Sequence, residues 1–192
     1  KNLIYLIILL FITIKQSHSN NYYITEITQY LDSIKSLSIS FIQNEDGQIS
    51  EGVISIGENR LRVDYFSPTK FIIIVSKNKG MYYNIDLDED EFFDPNNTSA
   101  RFFFDIFHNP KFFFDGKVVR ENASITLKKG GLTEDGINYN IKLLFEDNPF
   151  NLKKIDLFFD ESNLSLSIFG HNYNPTFSKK HFKLINPSFF GD

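Results

Sequence analysis

The sequence predicts an α+β fold that is mostly β: one large antiparallel sheet of about ten short strands, curled, with two or three helices over its concave face. Three observations carry this. Apolar residues alternate with polar ones in many short runs separated by turn signals. One early segment switches to helical spacing. A third segment, Phe102 to Phe114, is too rich in aromatics for either pattern.

The helical segment is Tyr23 to Leu37. Ile24, Ile27, Tyr30 or Leu31, Ile34 and Leu37 recur at three- and four-residue spacing, with Thr25, Glu26, Asp32 and Lys35 on the wet side. After Ser38 the period becomes two. Ile39 and Phe41 alternate with serines, and Ile54 and Ile56 oppose Val53. Leu61, Val63 and Tyr65 share one face, with Arg60, Arg62 and Asp64 on the other. The apolar run Phe71 to Val75 reads as a strand covered on both faces. Met81 to Ile85 and Glu91 to Phe93 follow. Turns fall at Asp46-Gly47, Gly57-Glu58-Asn59, Ser67-Pro68, Asn78-Lys79-Gly80 and Asp86 to Asp90.

The loop from Asp94 to Thr98 leads to a helix capped by Thr98 or Ser99. Phe102, Phe103, Phe104, Ile106 and Phe107 come next, then Asn109-Pro110 and Phe112 to Phe114. One or two short helices fit, touching apolar material on more than one side. Strand rhythm returns from Ala123, through Ile125 and Leu127; Ile141, Leu143 and Phe145; Ile155, Leu157 and Phe159; and Leu164, Leu166 and Ile168. Phe182 to Ile185 reads as a closing strand.

The N-terminus reads as an address. Lys1 precedes an apolar run from Leu3 to Ile14, too short for the ~20 residues that span a bilayer. Ser17-His18-Ser19 follows as a small-x-small cleavage site, so residues 1–19 are expected to be a signal peptide cut near Ser19 and 20–192 a single domain. That places the mature chain in the periplasm.

Composition narrows the function. The 192 residues hold 22 phenylalanines, 9 tyrosines, no tryptophan and no cysteine. Without cysteine there is no disulfide framework, no thiolate metal site and no lipobox cysteine. An exported domain of this kind must be stable through its core alone. The formal charge of −4 argues against nucleic acid as a partner.

No nucleophile elbow, phosphate loop, dinucleotide fingerprint or zinc-protease motif occurs, so no enzymatic activity and no cofactor are expected. His18 leaves with the signal; His108, His171 and His181 have no ligand-like spacing and read as loop or solvated residues. Asp86, Asp88, Glu89, Asp90 and Glu91 lack the glycine and distal glutamate of a calcium loop and read as a charged hairpin. The short lysine pairs at 128–129, 153–154 and 179–180 read as solvated. A surplus of phenylalanine suits two purposes. It fills a core, or it lines a cavity for acyl chains, since the ring carries no group that needs a hydrogen bond. Composition leaves both open.

Ordered short motifs then bear on the choice. Tyr30 to Gln43 combines an amphipathic helix with Ser40-Phe41-Ile42-Gln43. Glu51-Gly52, Arg62-Val63-Asp64-Tyr65 with Pro68, Ile74-Val75-Ser76 with Tyr82-Tyr83-Asn84, and Phe182 to Pro187 follow in order. This series resembles the outer-membrane lipoprotein carrier proteins (LolA), across most of residues 22–187. The departures are Val63 where that family has tryptophan, and Gly57-Glu58-Asn59-Arg60 where it has the arginine that tethers its lid.

The resemblance implies an incomplete antiparallel barrel of ten to eleven strands under a lid of two to three short helices. It implies a monomeric periplasmic carrier that shields lipoprotein acyl chains. Its partners would be lipidated proteins as cargo, an inner-membrane ABC-type release complex and an outer-membrane acceptor lipoprotein. A lipid-sensing module of the same fold is the alternative. Phe41, Val63, Tyr65, Phe102, Phe103, Phe104, Phe107 and Phe113 are the cavity and lid candidates, with Arg60 the candidate lid tether.

Overall fold

The computed structural model describes residues 21–190. The expected signal peptide lies outside the described residues. Eleven strands form one antiparallel sheet that does not close into a barrel, in the order β6-β5-β4-β3-β2-β1-β11-β10-β9-β8-β7. The strands are β1 (Leu37–Glu45), β2 (Gln48–Gly57), β3 (Arg60–Ser67), β4 (Phe71–Val75), β5 (Gly80–Asn84), β6 (Glu89–Phe93), β7 (Lys117–Glu121), β8 (Ser124–Leu132), β9 (Asn138–Asp147), β10 (Phe150–Phe159) and β11 (Ser162–Tyr173). Helix α1 covers residues 21–33 and α2 is Ala100–His108. Short 3-10 turns occur at Pro95–Asn97, Pro110–Phe113 and Pro187–Phe190.

The topology explains where the lid comes from. β6 and β7 are the two free edges, yet they follow one another in the chain. The connection between them must run from one edge to the other, and that connection carries α2 and both of its flanking 3-10 turns.

Strand alternation sorts the side chains into two faces. Leu37, Ile39 and Phe41, Ile54 and Ile56, Leu61, Leu143 and Phe145, Ile155 and Leu157, and Leu166 and Ile168 all point to one face and are buried. Ile24, Ile27 and Leu31 of α1 and Phe102, Ile106 and Phe107 of α2 pack into the same core. The opposite face carries a second, smaller cluster of Ile72, Ile74, Met81 and Tyr83, against which Leu184 packs. β4 thus buries apolar side chains on both faces, which accounts for its uninterrupted sequence.

Three local expectations are corrected. The first helix stops at 33, not 37, because Leu37 is already paired with Ile56 of β2 and Tyr173 of β11. β7 carries only Val118 and Val119 as apolar residues and was not anticipated. Phe182 to Ile185 is not a strand but a series of turns. β11 already has β1 on one side and β10 on the other, so no edge is free beside it. The tail crosses the outer face instead. Arg62 Nη1 donates to the His181 carbonyl at 2.9 Å, and Asn186 Nδ2 donates to Asp88 and Asp90 at 3.3 and 3.2 Å. The acidic hairpin therefore anchors the tail.

Candidate functional site

Strand β1 sends Phe41 and Gln43 to the concave face, and β3 sends Leu61, Val63 and Tyr65 to it. With Ile54, Leu166 and Phe103 of α2 they line a slot of about 40 Å³. Four of the eight candidates, Phe41, Val63, Tyr65 and Phe103, meet here. The slot holds little more than one water's share of liquid volume, ~30 Å³. Small-molecule pockets run to roughly 300 Å³ and above. The slot is narrow, with Phe103 as the residue α2 contributes to it.

The other four candidates lie elsewhere. Phe102, Phe107 and Phe113 belong to the core. Phe102 packs 4.8 Å from Tyr139 and 5.3 Å from Phe159, ring to ring, and Phe113 is fully buried edge-on to Phe112. Phe104 is buried and stacks on His108, 4.4 Å between centroids. Three consecutive helical residues turn by about 100° each, so Phe102, Phe103 and Phe104 point in three directions and Phe103 alone reaches the slot.

Gly52 has a steric reason. It sits opposite Phe41 in the β1–β2 ladder, and a Cβ there would lie 2.9 Å from the Phe41 ring and 2.1 Å from the Asp64 carbonyl oxygen. The motif Arg62-Val63-Asp64-Tyr65 divides between faces. Val63 and Tyr65 line the slot, while Arg62 and Asp64 pair outward at 2.6 Å and hold the tail.

Beyond the slot the aromatic wall continues. Tyr65 is edge-on to Phe41 at 5.2 Å and stacks on Phe71 at 4.1 Å, and Phe71 lies 5.2 Å from Tyr82. Tyr65, Phe71 and Tyr82 are each half-buried. Phe71 and Tyr82 are not among the sequence-derived cavity candidates, although Phe71 falls directly opposite Tyr65 in the ladder.

A polar chain leads away from the slot. Tyr65 Oη donates to Gln43 Oε1 at 2.7 Å, Gln43 Nε2 donates to Glu45 Oε2 at 3.0 Å, and Ser162 Oγ donates to Glu45 Oε1 at 3.1 Å. Burial, then the Glu45 charge, raises the Tyr65 phenol pKa well above its ordinary value, so it stays a neutral donor. Glu45 and Ser162 open into a second cavity of about 260 Å³, lined also by Asn97, Thr98, Ser99, Leu157, Phe159, Asp160 and Leu164.

Arg60 does not meet α2. Its Nη1 donates to the neighbouring Asn59 carbonyl, and it alternates with the core residue Leu61, so it lies on the outer face. His108 joins α2 to the sheet by a hydrogen bond. Its Nε2 lies 2.8 Å from the Gly57 carbonyl oxygen and its Nδ1 3.2 Å from that of Phe104. Both neighbours are carbonyl acceptors, and the shorter contact, to Gly57, is the stronger hydrogen bond. No local signal marks this role, because Gly57 is distant in sequence. His171 Nε2 likewise bonds a carbonyl, that of Leu152, at 2.8 Å. Burial lowers the His171 and His181 pKa values, helped at His181 by Arg62.

No group of three or more histidine or acidic side chains that could hold a metal ion occurs among the described residues. Nor, among them, is any helix long and apolar enough to cross a membrane.

No protein-family model matches the chain. An uncharacterised protein of Rickettsia prowazekii (strain Madrid E), RP864, is 26% identical over 199 residues, covering 99% of this chain and 90% of that protein. Among solved structures, an uncharacterised conserved protein of Thermus thermophilus superposes with a TM-score of 0.51 at 8% identity, over 83% of this chain and 95% of that one. The Pseudomonas aeruginosa MucA/MucB complex gives 0.49 at 12% identity, over 85% of this chain and 60% of that one. The Thermus likeness shows a shared fold. That fold, an open curved antiparallel sheet with helices packed into the core of its concave face, is the architecture that the resemblance to lipoprotein carriers implies.

Proposed function

We propose that this chain is an exported periplasmic carrier that shields the acyl chains of lipidated proteins, taking them from an inner-membrane release complex and delivering them to the outer membrane. The observation that carries the reading is the convergence of Phe41, Val63, Tyr65 and Phe103 on one concave-face slot, three from strands and one from the helix that bridges the sheet's free edges.

A carrier must bind and also release. Each buried methylene contributes about 0.8 kcal/mol, so a large preformed cavity would hold long chains too tightly. A narrow slot moderates this. Cargo must displace Phe103 and its neighbours, and lipid contacts then replace contacts within the protein. The aromatic wall of Tyr65, Phe71 and Tyr82 extends the apolar surface beyond the slot. The reading assigns the chain no reaction.

Native mass spectrometry of the periplasmic form, from cells making lipoproteins, tests the proposal. A fraction carrying acylated cargo is expected, with binding of an acylated peptide in vitro. Recovery of apo-protein alone, with no binding of the peptide, overturns it.

A further inference from the structure

The cavity beside the slot has a feature that acyl-chain shielding does not use. Glu45 is half-buried and held at both carboxylate oxygens by neutral donors, Gln43 and Ser162. Among the described residues no lysine, arginine or histidine lies within ion-pairing distance of it. A charge withdrawn from water usually acquires a partner of opposite sign. Here the partner is missing while the carboxylate is fixed in place, in a cavity with a second acid, Asp160, on its wall.

The N-terminus of α2 borders the same cavity, and a bare helix N-terminus would favour an anion. It is not bare. The N–H groups of Ala100, Arg101 and Phe102 donate to Thr98 Oγ1, the Thr98 carbonyl and the Ser99 carbonyl. The remaining polar lining is serine, threonine and asparagine, which offer hydroxyl and amide oxygens, and Leu157, Phe159 and Leu164 complete the wall. The electrostatic preference is therefore for a cation with N–H donors.

The position defines what that cation is attached to. Glu45 is two residues along β1 from Gln43, which lines the slot, and the two are hydrogen-bonded. A ligand whose acyl chain enters the slot would place the group at the head of that chain against Glu45. We infer that this mouth recognises a primary ammonium at the head of an acylated molecule. Resting on the carrier reading, this narrows the cargo to amphiphiles with a free amine beside their acyl chains, such as a diacylated cysteinyl peptide whose α-amine is not itself acylated.

The test uses a synthetic dipalmitoylated cysteinyl peptide and its N-acetylated twin, titrated against the protein and its Glu45→Gln variant. A charge-assisted hydrogen bond at a half-exposed site predicts about tenfold tighter binding of the free amine. Glu45→Gln is expected to abolish that preference, the two twins then binding alike. Equal binding of the twins by the unaltered protein overturns the head-group assignment while the carrier reading stands. Failure of both to bind overturns the carrier reading itself.

Vesicles of ethanolamine-headed phospholipid form a third arm. Glu45-dependent uptake from them supports the ammonium assignment and makes a lipid headgroup its source; Glu45-independent uptake counts against it. Should Glu45→Gln not fold, Asp160→Asn replaces it. That position is an exposed turn residue at φ 48°, a conformation asparagine tolerates; with the second acid of the cavity neutralised a partial loss of the preference is expected, and an unchanged preference counts against the assignment.

Discussion

His108→Ala isolates the hold that the sheet has on α2. The substitution removes the 2.8 Å bond to the Gly57 carbonyl and the stacking on Phe104. A net hydrogen bond is worth about 0.5–1.5 kcal/mol and an aromatic stack a similar amount. Of these two contacts the bond reaches β2, and the stack lies within the helix itself. Opening of α2 away from the sheet should thus become easier by about 1 kcal/mol, roughly fivefold in population. Hydrogen exchange by mass spectrometry reads this directly. Amides of residues 100–113 should lose about fivefold protection, while those of β1 and β11 change only with global stability. Under the carrier reading the apparent affinity for an acylated peptide rises by a similar factor, because less work is spent on opening. His108→Gln, whose amide can still donate towards Gly57, should restore part of the protection. Uniform loss of protection across the molecule, with no added effect in 100–113 and no rescue by glutamine, would refute the tether and make His108 an ordinary packing residue.

Three further outcomes follow from the packing and the ionisations. Phe113→Ala should cost about 3–5 kcal/mol in urea unfolding, because that ring is fully buried. Phe103→Ala should cost clearly less, since its ring lines the slot and stays half-exposed; equal costs would deny the distinction between core and lid. Gly52→Ala should destabilise by about 1–3 kcal/mol through overpacking of Phe41, with the Asp64 carbonyl too close to accommodate a methyl group. The depressed His171 and His181 pKa values mean that the unfolded chain binds more protons below about pH 6.5. Their contribution is fully present above that pH and declines as pH falls through the folded values. The urea midpoint should be lower at pH 5.5 than at pH 7.5, and the gap should shrink when both are replaced by asparagine.

Much of this was legible because strands alternate strictly. Once β1 and β3 are recognised, Phe41, Val63 and Tyr65 must share a face, and the structure puts all three in the slot. The same alternation sets Arg60 against Leu61 and so argues against a lid tether there. Helices give weaker constraints when every position is aromatic. Nothing in Phe102-Phe103-Phe104 says which ring faces the slot; the structure puts most of the candidate phenylalanines in the core and two of them, Phe41 and Phe103, on the slot. The tail misled because Phe182 to Ile185 looks like a strand, while strand formation needs a free edge, which is a property of the whole sheet. His108 and Glu45 were hidden for a related reason. Their meaning lies in partners contributed by other strands, Gly57 and Ser162, and no local pattern encodes such pairs.

The strand order has a consequence for how the molecule forms. β1 to β6 is a run of neighbours in sequence, and so is β7 to β11. Every ladder within each run closes a short loop, which is entropically cheap. The β1–β11 seam is different, joining Leu37 to Tyr173 across the two meanders. Folding should therefore divide into two quick local zippings and one slow joining. Ser40, Phe169 and Gly170, where the seam slips register, sit on the step that commits the two halves to each other.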